Sequence, residues 1–161
     1  MSLVGTRILT SDILARLVDQ IPPVIIPGFP PTTIDPPYMG TSFDADFIQK
    51  FPRTFPAVWV IGSRARARDD GRGHTAMLRQ HCEVEVALRL VVQRFINNDN
   101  VAESRLQTLH DQVANALIGW TPPNAEYPLT WRSFYDGASS DAIIVADMIL
   151  ATQITYSRAL P

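Results

Sequence analysis

The residue types best suited to chemistry are few in this chain, and their spacing serves it poorly. His81 and Cys82 are neighbours, and a thiol beside an imidazole is the starting material of a thiolate nucleophile. On a strand, however, successive side chains leave on opposite faces, so these two cannot pair with each other; Cys82 then reads as a small core residue. A zinc site would have to gather His74, His81, Cys82 and the one remaining histidine, His110, and separations of seven and one match no zinc signature. The stretch DDGRGH holds a Gly-x-Gly but lacks the third glycine and following helix of a dinucleotide site, and the Lys-Ser/Thr of a phosphate loop. Glu83 and Glu85 would share a strand face and could imitate a catalytic carboxylate pair. With Arg89 farther along the same face, the better reading is a solvated or subunit-facing strand surface. No cofactor and no metal are implied.

What remains is positive charge. Arg64, Arg66, Arg68 and Arg72 stand against Asp69 and Asp70, and Arg79 follows. Arginine can hold phosphate oxygens without reading bases, yet no aromatic residue interleaves to stack on single strands. Two readings stay open: a solvated loop, or a loop that touches a partner subunit or a passing nucleic acid. The formal charge of the whole chain is −2, too small to suggest a polyanion partner for the entire surface. Lys50 is the single lysine beside 13 arginines, a bias that fits a GC-rich genome as readily as an interface.

The elements that would position these residues belong to one domain. A chain of 161 residues can bury roughly two-thirds of the surface it exposes when unfolded. The lone Cys82 excludes an intramolecular disulfide, and MSLVGTRILT carries no secretion signal, so the expected compartment is a reducing cytoplasm. Ala142 to Ala151 is the longest apolar run; it has about half the length of a bilayer span and Asp147 interrupts it. No membrane segment is expected.

SDILARLVDQI places Ile13, Leu14, Leu17, Val18 and Ile21 at helical spacing, with Ser11 or Asp12 as the cap and Pro22 and Pro23 as the stop. Residues 22–56 hold nine of the 13 prolines and predict an extended segment laid over the surface, with a short strand near Val24 to Ile26 and a helical turn near Ala45 to Lys50. Ala57 to Ser63 predicts a strand. Arg79 to Arg94 alternates Cys82, Val84, Val86, Leu88, Leu90 and Val92 with mostly polar residues, a half-buried strand. About 15 residues at roughly 3.3 Å each exceed the width of a domain this size, so the hairpin it forms should project.

Asn100 and Glu103 predict a capping box for a helix running to Ile118. Gly119 fits the left-handed residue that closes such a helix, and Trp120 the hydrophobic residue behind it, with Pro122 and Pro123 preventing resumption. Tyr127 to Asp136 and Asp141 to Ser157 predict a final pair of strands around GASS. The fold class is therefore α+β: a mostly antiparallel (mixed) sheet packed against two main helices, with a long projecting hairpin and a Pro-rich extended segment.

This order, with FPAVWVIGS, HCEVEVALRLVVQR and a helix closing as VANALIGWTPP, resembles the tail terminator proteins of long-tailed bacteriophages over most of Thr54 to Tyr156. The residues that carry the likeness best are Leu117, Gly119, Trp120 and Pro122. The resemblance implies a non-enzymatic virion protein that caps the head-proximal end of the tail tube as a hexameric ring and stops tube polymerisation. It also implies a homo-oligomer whose partners are the tail tube protein and a head-tail connector, assembled in the host cytoplasm, with DNA passing through the lumen without sequence-specific binding. The arginines at 64, 66, 68 and 72 would face the lumen or a partner, and Glu83, Glu85 and Arg89 a neighbouring subunit. Two rival readings are a small nucleic-acid-binding module using the arginine loop and an enzyme or ligand binder assembled from Glu83, Glu85 and His110.

Overall fold

Two strands of equal length lie side by side and set the frame. Residues 4–21, 33–35, 56–67, 77–94, 99–137 and 139–159 are described by the structure, a computed structural model. Strand β3 (Met77–Gln93) and strand β5 (Ile143–Ala159) pair antiparallel from Met77 opposite Ala159 to Gln93 opposite Ile143. Strand β2 (Ala57–Ala67) flanks β3 antiparallel, and strand β4 (Thr130–Asp136) flanks β5 antiparallel. A three-residue strand, β1 (Thr33–Asp35), runs parallel to the start of β2, giving the order β1-β2-β3-β5-β4. The sheet is thus mostly antiparallel with one parallel edge.

Helices α1 (Val4–Gln20) and α2 (Asp99–Leu117) cover one face. Leu9, Ile13, Leu17 and Ile21 recur every four residues and so form one stripe of α1. They join Ala102, Leu109, Val113, Ala116 and Leu117 of α2 over Val58, Val60, the even-numbered residues of β3 from Cys82 to Val92, and Met148 and Leu150 of β5. Burying each large side chain of this kind contributes about 1.5–3 kcal/mol, so this cluster is the main stabilising mass. A smaller cluster of Ala57, Trp59, Val91, Ile143 and Val145 is buried on the opposite face, at one end of the sheet. The α+β class and the two helices are as the sequence predicts.

Several boundaries differ. Helix α1 begins at Val4, so Ser11 and Asp12 lie inside it and cap nothing. Leu9 and Thr10 are both buried, and the apolar stripe simply continues a turn farther than the capping residues suggest. Asn100 likewise sits within α2, which has already begun at Asp99. Strand β2 runs on to Ala67 and takes in Arg64 and Arg66, so half of the supposed arginine loop is strand. Arg68 and Arg72 lie outside the described residues, as do the strand expected near Val24 to Ile26, the turn near Ala45 to Lys50 and the tip of the β2–β3 connection. The great length of β3 is matched by β5 at every pair.

Candidate functional site

The sheet face turned away from the helices carries nearly all the residues that the sequence marked. Because β3 alternates, Cys82 and its even-numbered companions point to the helices while His81, Glu83, Glu85, Ala87, Arg89 and Val91 point away. Cys82 and His81 are thereby separated. Burial also raises the Cys82 thiol pKa, the opposite of what a nucleophile needs. His81 instead shares a hydrogen bond of 2.8 Å between its Nδ1 and the Thr155 hydroxyl, and the Glu126 carboxylate lies 3.8 Å from the same nitrogen.

Charge on this face is arranged in registered rows. Arg64 of β2 stands opposite Glu85 of β3, and Arg66 opposite Glu83. Opposite charges on paired strands attract by a few tenths of a kcal/mol to about 1 kcal/mol. The Arg132 guanidinium of β4 donates a 2.8 Å hydrogen bond to Glu83. One end of the face is therefore a lattice of alternating sign, and the described part of the arginine run is not a bare cationic stripe. Farther along, Arg89 is taken into a two-pronged pair with Asp147 of β5, both contacts 2.6 Å.

Between the charged rows lies a row of smaller groups. Gly62, Ala87, Ile149 and Ser133 are consecutive register partners across β2, β3, β5 and β4. Bulges occur at the level of this row on both flanking strands, between Val60 and Gly62 and between Trp131 and Ser133. Bulges bend and twist a strand. An open depression of about 440 Å³ follows the row, with Arg64, Glu85 and Arg132 on its rim. Nothing in it pairs a nucleophile with a base.

The helix stop at Gly119 works differently from the expected motif. Gly119 does take a positive φ of 81°. Its amide, however, donates to the Leu129 carbonyl at 2.9 Å, and the Leu129 amide donates back to the Trp120 carbonyl at 2.9 Å. The Trp120 amide turns inward to the Leu117 carbonyl at 3.2 Å. The motif thus closes residues 120–129 into a loop whose far end feeds β4, while Pro122 is buried within it. Glu126 and Tyr127 are tied to β5 by the Glu126 amide on the Gln153 carbonyl and by the Thr152 hydroxyl on the Tyr127 carbonyl.

Several residues on these elements escaped the sequence reading. Tyr127, Trp131 and Tyr135, on and beside β4, are 55 %, 50 % and 51 % exposed, which is unusual for side chains this large. Arg132 and Asp147 gain their roles only through register. Arg16 of α1 donates to the Ala116 carbonyl at the end of α2 and lies 5.5 Å from the centre of the Trp120 ring. The set Glu83, Glu85 and His110 does not come together. His110 is on α2 and packs edge-on against Phe134 of β4 at 4.6 Å, on the helix-covered face. Among the described residues no group of three or more metal-ligating side chains occurs, and no helix is long and apolar enough to cross a membrane.

Comparison with known proteins gives one family. The model described as "Phage tail terminator protein" matches residues 39–155, a span that includes β2 to α2, the Gly119 stop, β4 and most of β5. No curated protein matches the chain.

Proposed function

Since the chain belongs to the phage tail terminator family, a component of the virion tail, we propose that it is the non-enzymatic hexameric ring that caps the head-proximal end of the tail tube. The ring ends tube polymerisation and offers a surface to a head-tail connector, and DNA passes through its lumen. Assembly takes place in the host cytoplasm. Family membership over residues 39–155 carries this reading.

Charge placement supports the details. The lattice of Arg64, Arg66, Glu83, Glu85 and Arg132 on the helix-free face suits a surface that meets protein or lets a polyanion slide past. Strong DNA capture needs unopposed cations, each releasing counterions. In-register glutamates lower that capacity, which is why a dedicated nucleic-acid module is the weaker reading.

The test adds the purified protein to polymerising tail tube protein of the same phage. Tubes of restricted length bearing a ring at one end are expected in electron micrographs. Tubes of unaltered length with bare ends would overturn the proposal. Light scattering over a concentration series reads the ring directly, as a discrete hexamer or a monomer that shifts toward one.

A further inference from the structure

Ala57, Trp59, Val91, Ile143 and Val145 form an apolar patch on the face of the sheet that neither helix covers. None is more than 5 % exposed, although α1 and α2 both lie on the other side. The β4–β5 turn reaches the patch through Gly137, where an added Cβ would fall 2.7 Å from the Val145 side chain. An indole buried as deeply as that of Trp59 needs a cover of its own.

Handedness names the cover. β1 and β2 are parallel neighbours, and β3 and β4 are parallel as well, since each is antiparallel to the β5 strand between them. Residues 36–56 connect the first pair, and the connection of the second pair contains α2. Connections between parallel strands of one sheet are right-handed in about 98 % of cases. Both advance the same way along the order β1-β2-β3-β5-β4, but β1 and β2 point opposite to β3 and β4, because β2 and β3 are antiparallel. Two connections of one hand that advance together over oppositely directed strands lie on opposite faces, and α2 occupies the helical one.

We infer that residues 36–56 cross the helix-free face and cover the Trp59 patch of their own chain. Both ends of the connection are at the patch: Asp35 is the register partner of Trp59, and β2 starts at Ala57. One strand spacing and two residues separate those ends, about 8 Å, so the chain closes over its own sheet without spanning a distance. The sequence predicts a helical turn near Ala45 to Lys50, and at that spacing Phe43, Phe47 and Phe51 fall on one stripe. Three aromatic rings supply apolar area of the kind the patch buries. The family match reaches back to residue 39, which puts most of the connection inside the shared domain.

The cover divides the helix-free face in two. Residues 36–56 take the end that holds Trp59 and the Arg89–Asp147 pair beside it. The charged rows of Arg64, Glu85, Glu83 and Arg132 are the end left for partners. This holds for a single copy and does not rest on the ring.

Two measurements test the cover. Trp59 becomes the only indole once Trp120 and Trp131 are replaced by phenylalanine, and its emission should then be shielded from acrylamide. Phe47→Ser with Phe51→Ser should raise the quenching constant at least twofold, while Phe29→Ser, outside the connection, should leave it unchanged. No rise in the first variant, or an equal rise in the second, would overturn the assignment. A photo-crosslink reads the same contact without removing a ring: with p-benzoylphenylalanine in place of Phe47, irradiation should attach that residue to the peptide holding Trp59, Val91 or Val145. A mixture of isotope-labelled and unlabelled chains should give only unmixed products. Attachment to α1 or α2, or none at all, would overturn the crossing of this face, and mixed products would assign the cover to a neighbouring copy instead of the same chain.

Discussion

Arg89 on β3 and Asp147 on β5 are register partners that hold each other through two hydrogen bonds of 2.6 Å, with side chains only 15 % and 6 % exposed. The pair sits next to Trp59, which is opposite Arg89 on β2, and marks where the buried far-face cluster gives way to the charged rows. Removing one partner of a buried pair strands the other charge and costs about 3–5 kcal/mol. Arg89→Met or Asp147→Ala should therefore lower the denaturant midpoint strongly. The double change Arg89→Met with Asp147→Leu should recover most of that loss, because an apolar replacement leaves no charge behind. Equal loss in the single and double variants would mean that the pair does not act through desolvation.

Asp12 offers the reverse case. It lies inside α1, its Oδ2 is buried without a hydrogen-bond partner among the described residues, and burial raises its carboxyl pKa. A folded-state pKa above the unfolded value means that the native state holds the proton more tightly, so stability falls as pH rises through that pKa. Asp12→Ala should stabilise the protein at neutral pH by about 1 kcal/mol, the usual order for relieving an unsatisfied buried polar group. The gain should shrink as pH falls through the raised pKa and, below the ordinary aspartate value of about 4, be down to the few tenths that alanine adds to any helix. Midpoints measured at both pH values check the sign.

How much of this was legible from sequence depended on what each strand buries. β3 covers one face with Val, Leu and Cys and shows its period openly. β5 does not, since Ile143, Ile144, Val145, Ala146, Asp147 and Met148 are all buried; a strand covered on both faces loses its alternation, and β-branched content and its place after a turn are what mark it. From sequence β2 ends at Ser63, because Gly62 reads as a strand boundary and the residues after it as a polar loop. The alternation SRARA is nevertheless a period of two, and its strand becomes reasonable once Glu85 and Glu83 stand opposite. The charged lattice could not be read for the same reason: composition names the residues, but register decides which of them meet. The helix stop was correctly placed at Gly119, whereas the partner of its amide, Leu129, lies ten residues on and no local motif announces it.

Gly119 itself gives a clean measurement. Its φ of 81° lies in the left-handed region, and a Cβ there would meet nothing within 4 Å. Any penalty for Gly119→Ala is therefore conformational rather than steric, about 1–2 kcal/mol. Gly119→Asn should cost less, because asparagine tolerates this region better than alanine. Thermal denaturation of the two variants should rank them in that order. If alanine proved harmless, the left-handed turn would not be what ends α2.

The end of α2 is also where α1 acts at a distance. The last turn of α2 contains no basic residue, so its terminal carbonyls have no local cation to offset the negative end of the helix dipole. Arg16 supplies one from α1: its Nε donates to the Ala116 carbonyl at 3.2 Å while its guanidinium lies over Trp120. The hydrogen bond to a helix terminus and the cation–π contact each contribute on the order of 0.5–1 kcal/mol. Arg16→Met keeps much of the stem's packing and removes both, so it should cost about 1–2 kcal/mol by those sums. Arg16→Lys should cost less, since an ammonium keeps the charge, but it should not match wild type, since it lacks the planar group that stacks on an indole. In a Trp120→Leu background the same Arg16→Met change should cost less than in wild type, by the amount the stacking supplies. Identical costs in the two backgrounds would show that Arg16 serves the carbonyl alone.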